Sequence, residues 1–551
     1  MCSRMSPFSL LARRPLSVLL LALCAAVSVL AERAQVTLLS TTDLHGRILP
    51  YDYGTDRPAE VGLAKIATLV KQIRRQAPDT LLLDCGDTIQ GTPLAYYFNR
   101  KDNTPVHPMM AAMNALGYTA MALGNHEYNF GLGVLRKAQS EAKFPWLSAN
   151  TYRVGTDEPA YTPYLVKEVA GVRLGLLGLT TPSIPNWENP ENYAGLEFRP
   201  LVSETRKWVA HLREKEKVDA VVVSMHSGVE ENLATGRMAP GDFVGENAAL
   251  ALAREVPGLD VIFLGHTHRD VPSLVVNGVL ISQAGRWGDR LSRADLTFDR
   301  PDASARWTVF AKAAQTIPVT AAVAADPDIV ALAEPYHRAT QAWLGRVIGR
   351  SERALDANTA HLQDSALLDV IHRVQLESLG ADVSFTANLN LRAQVPAGDV
   401  TVRDISNLYI YENTLYLVEA TGAQVKAALE HAARYYRPYE AGKTAAELAD
   451  RSVPLYNFDI AEGVAYEIDL RRPVGDRVLN LTYQGQPLAP DRKLKVAINN
   501  YRYNGGGGYA MFKEAKVLAR SSTEIRDLII DWVERHGTIP AEPSANWRLL
   551  P

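Results

Sequence analysis

The stretch VTLLSTTDLHG (residues 36–46) sets the reading of this chain: a short apolar, β-branched run that ends, within a few residues, in an Asp and a His. A run of this length and composition reads as a buried strand rather than a helix. Four further stretches repeat the pattern. Thr80–Leu83 runs into Asp84-Cys85-Gly86-Asp87, and Tyr118–Leu123 into Gly124-Asn125-His126-Glu127. Asp219–Val223 leads to His226, and Asp260–Leu264 to Gly265-His266-Thr267-His268. In open α/β sheets the functional groups collect just beyond the carboxyl ends of the strands. Five strand ends are therefore expected to deliver Asp, His and Asn side chains to one rim, a donor set that suits a pair of divalent cations. The chain reads as a metal-dependent phosphoesterase.

Working outward, residues 33 to 318 alternate strands with amphipathic helices at Val61–Arg75, Met109–Leu116, Gly133–Ala142 and Val202–Lys217. Asp299–Val319 closes this layered α/β unit, and Asp326–Arg346, with Pro327 near its start, reads as a connecting helix. Helices near Asp364–Leu379, Thr421–Tyr435 and Ser522–Glu534, with strands near Thr414–Glu419, Val464–Leu470 and Leu494–Asn499, make a second unit of mixed α+β type. The expected divisions are a signal segment at 1–31, a first domain at 32–320, a linker helix at 321–348 and a second domain at 349–551. The second unit also carries tyrosines beside Gly505–Gly508, flat faces next to a backbone that permits close approach.

With 551 residues the chain exceeds one ordinary core, and a net charge of −3 gives no reason to expect a nucleic-acid polymer or an anionic membrane as partner. Arg4, Arg13 and Arg14 precede an apolar stretch from Leu16 to Leu30 that ends Val29-Leu30-Ala31, the pattern of a cleaved export signal. That stretch is short for a membrane span. An exported protein, periplasmic or extracellular, with no stable membrane span and a monomeric state is expected. Cys2 and Cys24 would leave with the signal, so Cys85 alone remains and no intrachain disulfide forms. Cys85 is expected to be a small buried residue at a strand end rather than a thiolate ligand.

The ordered motifs TTDLHG, DCGD, GNHEYN, SMHSG, GHTH and GLTTP resemble the calcineurin-like metallophosphoesterases of the 5′-nucleotidase superfamily. The second half resembles the C-terminal substrate-binding domain of that family. GNHEYNFGL, LYIYENTL, TGAQVKAALEHAARYY and YNFDIAEGVAYEIDL are most similar to the 2′,3′-cyclic-nucleotide 2′-phosphodiesterase/3′-nucleotidase branch. The resemblance implies an αββα first domain joined to an α+β second domain. It implies one cation held by Asp43, His45, Asp87 and His268 and another by Asp87, Asn125, His226 and His266, with Asp87 bridging. Mn²⁺, Zn²⁺, Mg²⁺ and Ca²⁺ all accept such ligands.

It further implies in-line attack by metal-bound hydroxide on phosphorus, with His126 stabilising the transition state or protonating the leaving oxygen. A 2′,3′-cyclic nucleotide would open to the 3′-nucleotide, which a second hydrolysis would convert to the nucleoside, a place in nucleotide catabolism. Asn129 stands where the 5′-nucleotidase branch carries an Asp beside its catalytic His, and Gly507 where that branch often has an Asp. By position Tyr411 and Tyr501 would clamp the base, with Asn413 in the same loop. Arg392 resembles a phosphate- or ribose-binding arginine, and Gly463 belongs to the substrate loop. With base and metals on different domains, binding implies closure about the connecting helix. A second reading is a 5′-nucleotidase or UDP-sugar hydrolase acting on 5′-nucleotides. A third, from another class, is an exported nucleotide-binding protein without turnover.

Overall fold

The computed structural model describes residues 31–238 and 242–550. The signal segment lies outside the described residues but for Ala31. Two six-stranded sheets stack face to face in the N-terminal part. In the first, the spatial order is Thr308–Pro318, Arg290–Arg300, Glu32–Thr41, Thr80–Asp84, Ala120–Ala122 and Trp146–Leu147. In the second it is Asp270–Val276, Val279–Ala284, Val261–Leu264, Ala220–His226, Val172–Thr180 and Tyr164–Val169. The five motif strands therefore do not share one sheet. Those leading to Asp43, Asp87 and Asn125 lie in the first, and those leading to His226 and to His266 and His268 in the second.

Strand alternation explains the layering. Leu38, Leu81 and Leu83 point inward to meet Leu174, Val222 and Phe263 of the opposing sheet. Their neighbours Leu39 and Leu82 point outward beneath the helix Leu63–Gln76, and Val221 and Val223 point outward beneath Leu201–Glu214 and Ala249–Glu255. Runs apolar on both faces are what a sheet covered on both sides requires. Helix, sheet, sheet and helix make the αββα order that the family resemblance implies. Cys85 is buried between the sheets with Sγ 3.4 Å from Ser40 Oγ and 3.3 Å from Ser224 Oγ, and burial pushes its thiol up to about 12.

The closing segment resolves into two long antiparallel strands, Arg290–Arg300 and Thr308–Pro318. The connecting helix spans Pro327–Leu344. The Asp326 side chain caps it by accepting from the Ile329 N–H at 3.2 Å, and Pro327 takes the position where a missing N–H costs nothing. The C-terminal part is built on a five-stranded sheet ordered Asp459–Glu462, Val383–Ala387, Lys493–Asn499, Thr414–Thr421 and Lys516–Glu524, backed by Ala366–Leu379 and Ile525–His536. It seats against the N-terminal part through Arg100–Glu524 and Lys101–Asp527, each at 2.6 Å, and through Asn189, which meets Thr414 at 3.0 Å and Tyr416 at 2.9 Å. No helix among the described residues is long and apolar enough to cross a membrane.

Candidate metal centre and active site

The loops after the strands Glu32–Thr41 and Thr80–Asp84 interlock through backbone bonds: Asp43 N–H to Gly86 O, and His45 N–H to Asp87 O, each 2.9 Å. Gly124 of the next motif must pass close beneath. A Cβ there would lie 2.2 Å from Asp87 Oδ1, and one at Gly86 would lie 2.5 Å from Gly124 N. Glu127 then closes the arrangement, accepting from the N–H groups of Asp87 (2.9 Å), Thr88 (2.6 Å) and Gly124 (2.6 Å). Asp43, His45, Asp87, His266 and His268 all adopt left-handed backbone, with φ of 50°, 47°, 58°, 71° and 56°. Such conformations are rare outside glycine and collect where side chains must be aimed.

The aimed side chains form two adjoining groups, Asp43/His45/His268 and Asp87/His226/His266, each with its donor atoms within 4.8 Å of one another. His45 Nε2 lies 3.0 Å from His268 Nε2, which lies 3.2 Å from Asp43 Oδ1. His226 Nε2 lies 3.0 Å from Asp87 Oδ2 and 3.1 Å from Asn125 Oδ1. Two ligands that share a cation at about 2.0–2.2 Å in octahedral or tetrahedral geometry are separated by roughly 2.9–3.5 Å, so these spacings fit divalent ions.

The outer nitrogens support that fit. His45 Nδ1 faces Gln90 Oε1 at 3.1 Å, His226 Nδ1 faces Cys85 O at 2.7 Å, and His266 Nε2 faces Glu246 Oε1 at 2.8 Å. Each acceptor holds a proton on the outer nitrogen and leaves the inner nitrogen as the one that can ligate a cation, as metal-binding histidines require. Burial opposes ionisation of Asp43 and Asp87, but the imidazoles around them hold both carboxyls below the usual range. Burial pushes His45 down to about 3. His226 is raised to about 10 because Asp87 outweighs its burial.

His126 stands at the edge of the pair. Its N–H donates to Asp87 Oδ1 at 2.8 Å, its Nε2 is 4.0 Å from Asp87 Oδ2, and its side chain is 32% exposed toward the cleft. Its Nδ1 lies 2.6 Å from Asn129 Oδ1, and Asn129 Nδ2 donates to Glu188 at 2.7 Å. Burial disfavours the imidazolium, yet Asp87 raises the pKa above its ordinary value.

Tyr411 of the C-terminal part lies beside Tyr456, and Tyr501 lies against the glycine run. The Tyr411 and Tyr456 rings meet edge-on at 6.4 Å, and a Cβ on Gly506 would strike the Tyr501 ring at 2.5 Å, so the glycine run lets that ring lie against the backbone. Arg286 approaches the first donor group from outside, with its Nη1 3.2 Å from His268 Nδ1. Asn413 is committed to the scaffold, donating to Asn500 Oδ1 at 3.2 Å. Arg392 is exposed. Gly463 is not brought to the site. Pairing of Ala387 with Asp459 and Ser384 with Glu462 puts it beyond the far end of that strand from Tyr456, and its φ of 88° serves a turn against Asp382 O.

Gln90, Glu127, Glu188, Glu246, Arg286, Glu412 and Tyr456 were not among the residues singled out from the sequence. Glu127 was within reach, as the fourth residue of the GNHE motif. The others sit in loops or approach from segments far apart in the chain.

Residues 36–270 match the calcineurin-like phosphoesterase family, and residues 347–514 match the 5′-nucleotidase C-terminal domain. The 2′,3′-cyclic-nucleotide 2′-phosphodiesterase/3′-nucleotidase of Salmonella typhimurium is 31% identical over 97% of this chain and 92% of its own length. The chain is a calcineurin-like metallophosphoesterase of the 5′-nucleotidase superfamily. It is accordingly a metal-dependent hydrolase of phosphoric esters. The trifunctional nucleotide phosphoesterase protein YfkN of Bacillus subtilis is 28% identical over 95% of this chain, which spans 39% of that protein's length. A Staphylococcus aureus protein assigned as a 5′-nucleotidase and crystallised with alpha-ketoglutarate superposes with a TM-score of 0.81 at 26% identity, covering 94% of this metallophosphoesterase and 100% of that chain.

Proposed function

We propose that this metallophosphoesterase is an exported hydrolase that opens 2′,3′-cyclic nucleotides to 3′-nucleotides and then dephosphorylates these to nucleosides. The observation that carries the proposal is the placement of Asp87 within reach of both donor groups, 3.0 Å from His226 Nε2 and 4.0 Å from His45 Nε2, with the Tyr411 and Tyr456 rings meeting edge-on in the C-terminal part. Asp43, His45, Asp87 and His268 would hold one divalent cation, and Asp87, Asn125, His226 and His266 a second. Cations bound there supply Lewis acidity to the phosphoryl group and activate water at neutral pH.

The remaining steps belong to the chain. The tyrosine faces stack on the base, worth about 1–3 kcal/mol and tolerant of base identity. This anchors the nucleotide so that its phosphoryl group meets His126 and the ligand side chains. Water adds to phosphorus as the P–O2′ bond of the cyclic ester breaks, and a proton from His126 Nε2 neutralises the departing 2′ oxygen. In the second round the P–O3′ bond breaks in the same way, releasing phosphate and nucleoside.

The identity and coverage shared with the Salmonella enzyme, and Asn129 rather than Asp beside His126, support the cyclic-nucleotide branch. The Staphylococcus aureus fold match favours a second reading, hydrolysis of 5′-nucleotides. Export is supported by the sequence before residue 32. Phosphate and nucleoside release from 2′,3′-cyclic AMP, 3′-AMP and 5′-AMP, each with and without chelator, separates the readings. Chelator-sensitive turnover of the first two is expected, and turnover confined to 5′-AMP would establish the second reading.

A further inference from the structure

We infer that Glu188 is a positioning residue for His126, acting through the side-chain amide of Asn129. Asn129 stands where an Asp would pair directly with the imidazole, and an amide left to itself has two orientations. Only one of them offers an acceptor to His126 Nδ1. Here the choice is made by a carboxylate one step further out. Asn129 Nδ2 donates to Glu188 Oε2 at 2.7 Å, which leaves Oδ1 to receive the Nδ1–H of His126 at 2.6 Å. The flipped amide would set its carbonyl oxygen against Glu188 and its NH₂ against the ring proton, two repulsive contacts in place of two hydrogen bonds.

Glu188 is built to hold this role. It is 5% exposed, and its other oxygen, Oε1, accepts from Asn192 Nδ2 at 2.8 Å and from the Asn189 N–H at 2.7 Å. Three N–H donors converge on two oxygens, the partner set of a carboxylate rather than of a carboxylic acid. Its backbone is fixed from the other side, because Asn500 donates to Trp187 O at 3.2 Å and Asn504 to Glu188 O at 3.4 Å. The result is a chain from carboxylate to amide to imidazole that keeps a proton on Nδ1 whether the ring is neutral or charged, so that the proton gained and given up is the one on Nε2. The charge that a direct Asp partner would bring is kept, displaced by one side chain and transmitted as a polarised hydrogen bond. The signal in the sequence is weak, since Glu188 lies 59 positions from Asn129 in a turn-rich segment.

The inference rests on His126 acting at the phosphoryl group, and the test keeps the two claims apart. Four variants are compared with the parent in the metal-loaded protein: Glu188→Gln, Asn129→Asp, Asn129→Asp with Glu188→Gln, and His126→Ala. Each is followed by steady-state kinetics and, for the first three, by the ¹⁵N resonances of the His126 ring. Glu188→Gln is expected to lower kcat about tenfold or more, with KM within about twofold, and to mix the two His126 tautomers. Asn129→Asp alone sets two carboxylates in contact and should fall similarly. The double variant exchanges donor and acceptor in place and should recover kcat to within about threefold of the parent, with a single Nδ1–H tautomer. Unchanged kcat and an unchanged ring spectrum in Glu188→Gln overturn the inference. So does a folded double variant without recovery, which also decides the matter if Glu188→Gln does not fold. Full activity in His126→Ala removes the catalytic reading of that residue, while the ring spectra still report on positioning by Glu188.

Discussion

His45 Nε2 and His268 Nε2 lie 3.0 Å apart, and the groups behind the two rings differ. Behind His45 stands Gln90 Oε1, an acceptor. Behind His268 stands the guanidinium of Arg286 at 3.2 Å, which can only donate. Contact with Arg286 therefore needs a lone pair on His268 Nδ1 and puts the ring proton on Nε2. A cation bound through Nε2 needs the opposite tautomer, so the cation and Arg286 compete for one ring, and their charges repel. Arg286→Met is expected to tighten divalent-cation binding about fivefold, roughly 1 kcal/mol between partly exposed charges. Calorimetric titration with Mn²⁺ reads this directly, and weaker binding in the variant would show that Arg286 supports the ligand set.

The acceptor behind His45 reaches the C-terminal part. Gln90 Nε2 donates to Glu412, whose other oxygen pairs with Arg526 at 2.8 Å, both side chains being 3% exposed. Arg526 lies over the Tyr96 ring at 4.0 Å. Breaking a buried pair of this kind costs about 3–5 kcal/mol, and loss of a partner behind a metal ligand weakens binding about 10–100-fold. Glu412→Gln should therefore lower the melting temperature and the cation affinity together. A lower melting temperature with unaltered cation affinity would confine Glu412 to a structural role.

Tyr501 lies against Gly506, where a Cβ would strike its ring at 2.5 Å, and we propose that it stacks on the base of the substrate. Tyr501→Ala should raise KM for 3′-AMP by about tenfold, the lower part of the 1–3 kcal/mol range for base stacking. Bis-p-nitrophenyl phosphate has no base, and its KM should move by less than about threefold. Equal losses on both substrates would argue against a base-binding role.

How much of this could be read beforehand depended on range along the chain. The apolar runs preceding Asp43, Asp87, Asn125, His226 and His266 announce strands, and each ligand type falls within a few residues of its strand end. The gathering of these side chains is therefore legible in the runs, while their division into two ligand sets is implied by the family resemblance. Their division between two sheets was not legible from the runs, because strands such as Leu81–Leu83 and Val221–Val223 are apolar on both faces whichever sheet they join. The αββα order came from the family resemblance. Motif context points Gly463 to the site, whereas pairing of Asp459–Glu462 with Val383–Ala387 carries it to the opposite strand end. Glu188, Glu246 and Arg286 were invisible for a different reason. Each acts on a residue far away in sequence, and no period or spacing marks a loop carboxylate as the partner of a distant amide or imidazole.

Away from the site, His107 and His372 are buried and held neutral, each pushed down to about 3 by desolvation. His107 Nδ1 accepts from the Met109 N–H at 3.2 Å, His372 Nδ1 lies 3.0 Å from Ser384 Oγ, and both Nε2 atoms are without partners. In the unfolded chain each titrates near 6.5. Above that pH neither state is charged and the histidines contribute no pH dependence. Between about 6.5 and 3 the unfolded chain binds protons that the native protein does not, so stability is lost as the pH is lowered, by about 1.4 kcal/mol per pH unit per histidine. His372→Leu should reduce the slope of unfolding free energy between pH 6 and pH 4 by about one proton's worth in urea titrations. An unchanged slope would mean that His372 is protonated in the native protein.

We propose that Asp87 joins two cation sites in one phosphohydrolase centre. Metal content per chain, measured by mass spectrometry after dialysis against Mn²⁺ and paired with turnover of 2′,3′-cyclic AMP on the same samples, tests it most directly. The parent protein should hold two equivalents and turn over. Asp87→Asn should hold less than one and lose turnover by about 10³-fold or more, because both sites lose a shared carboxylate. Two retained equivalents or preserved turnover in Asp87→Asn would mean that Asp87 does not bridge two cations.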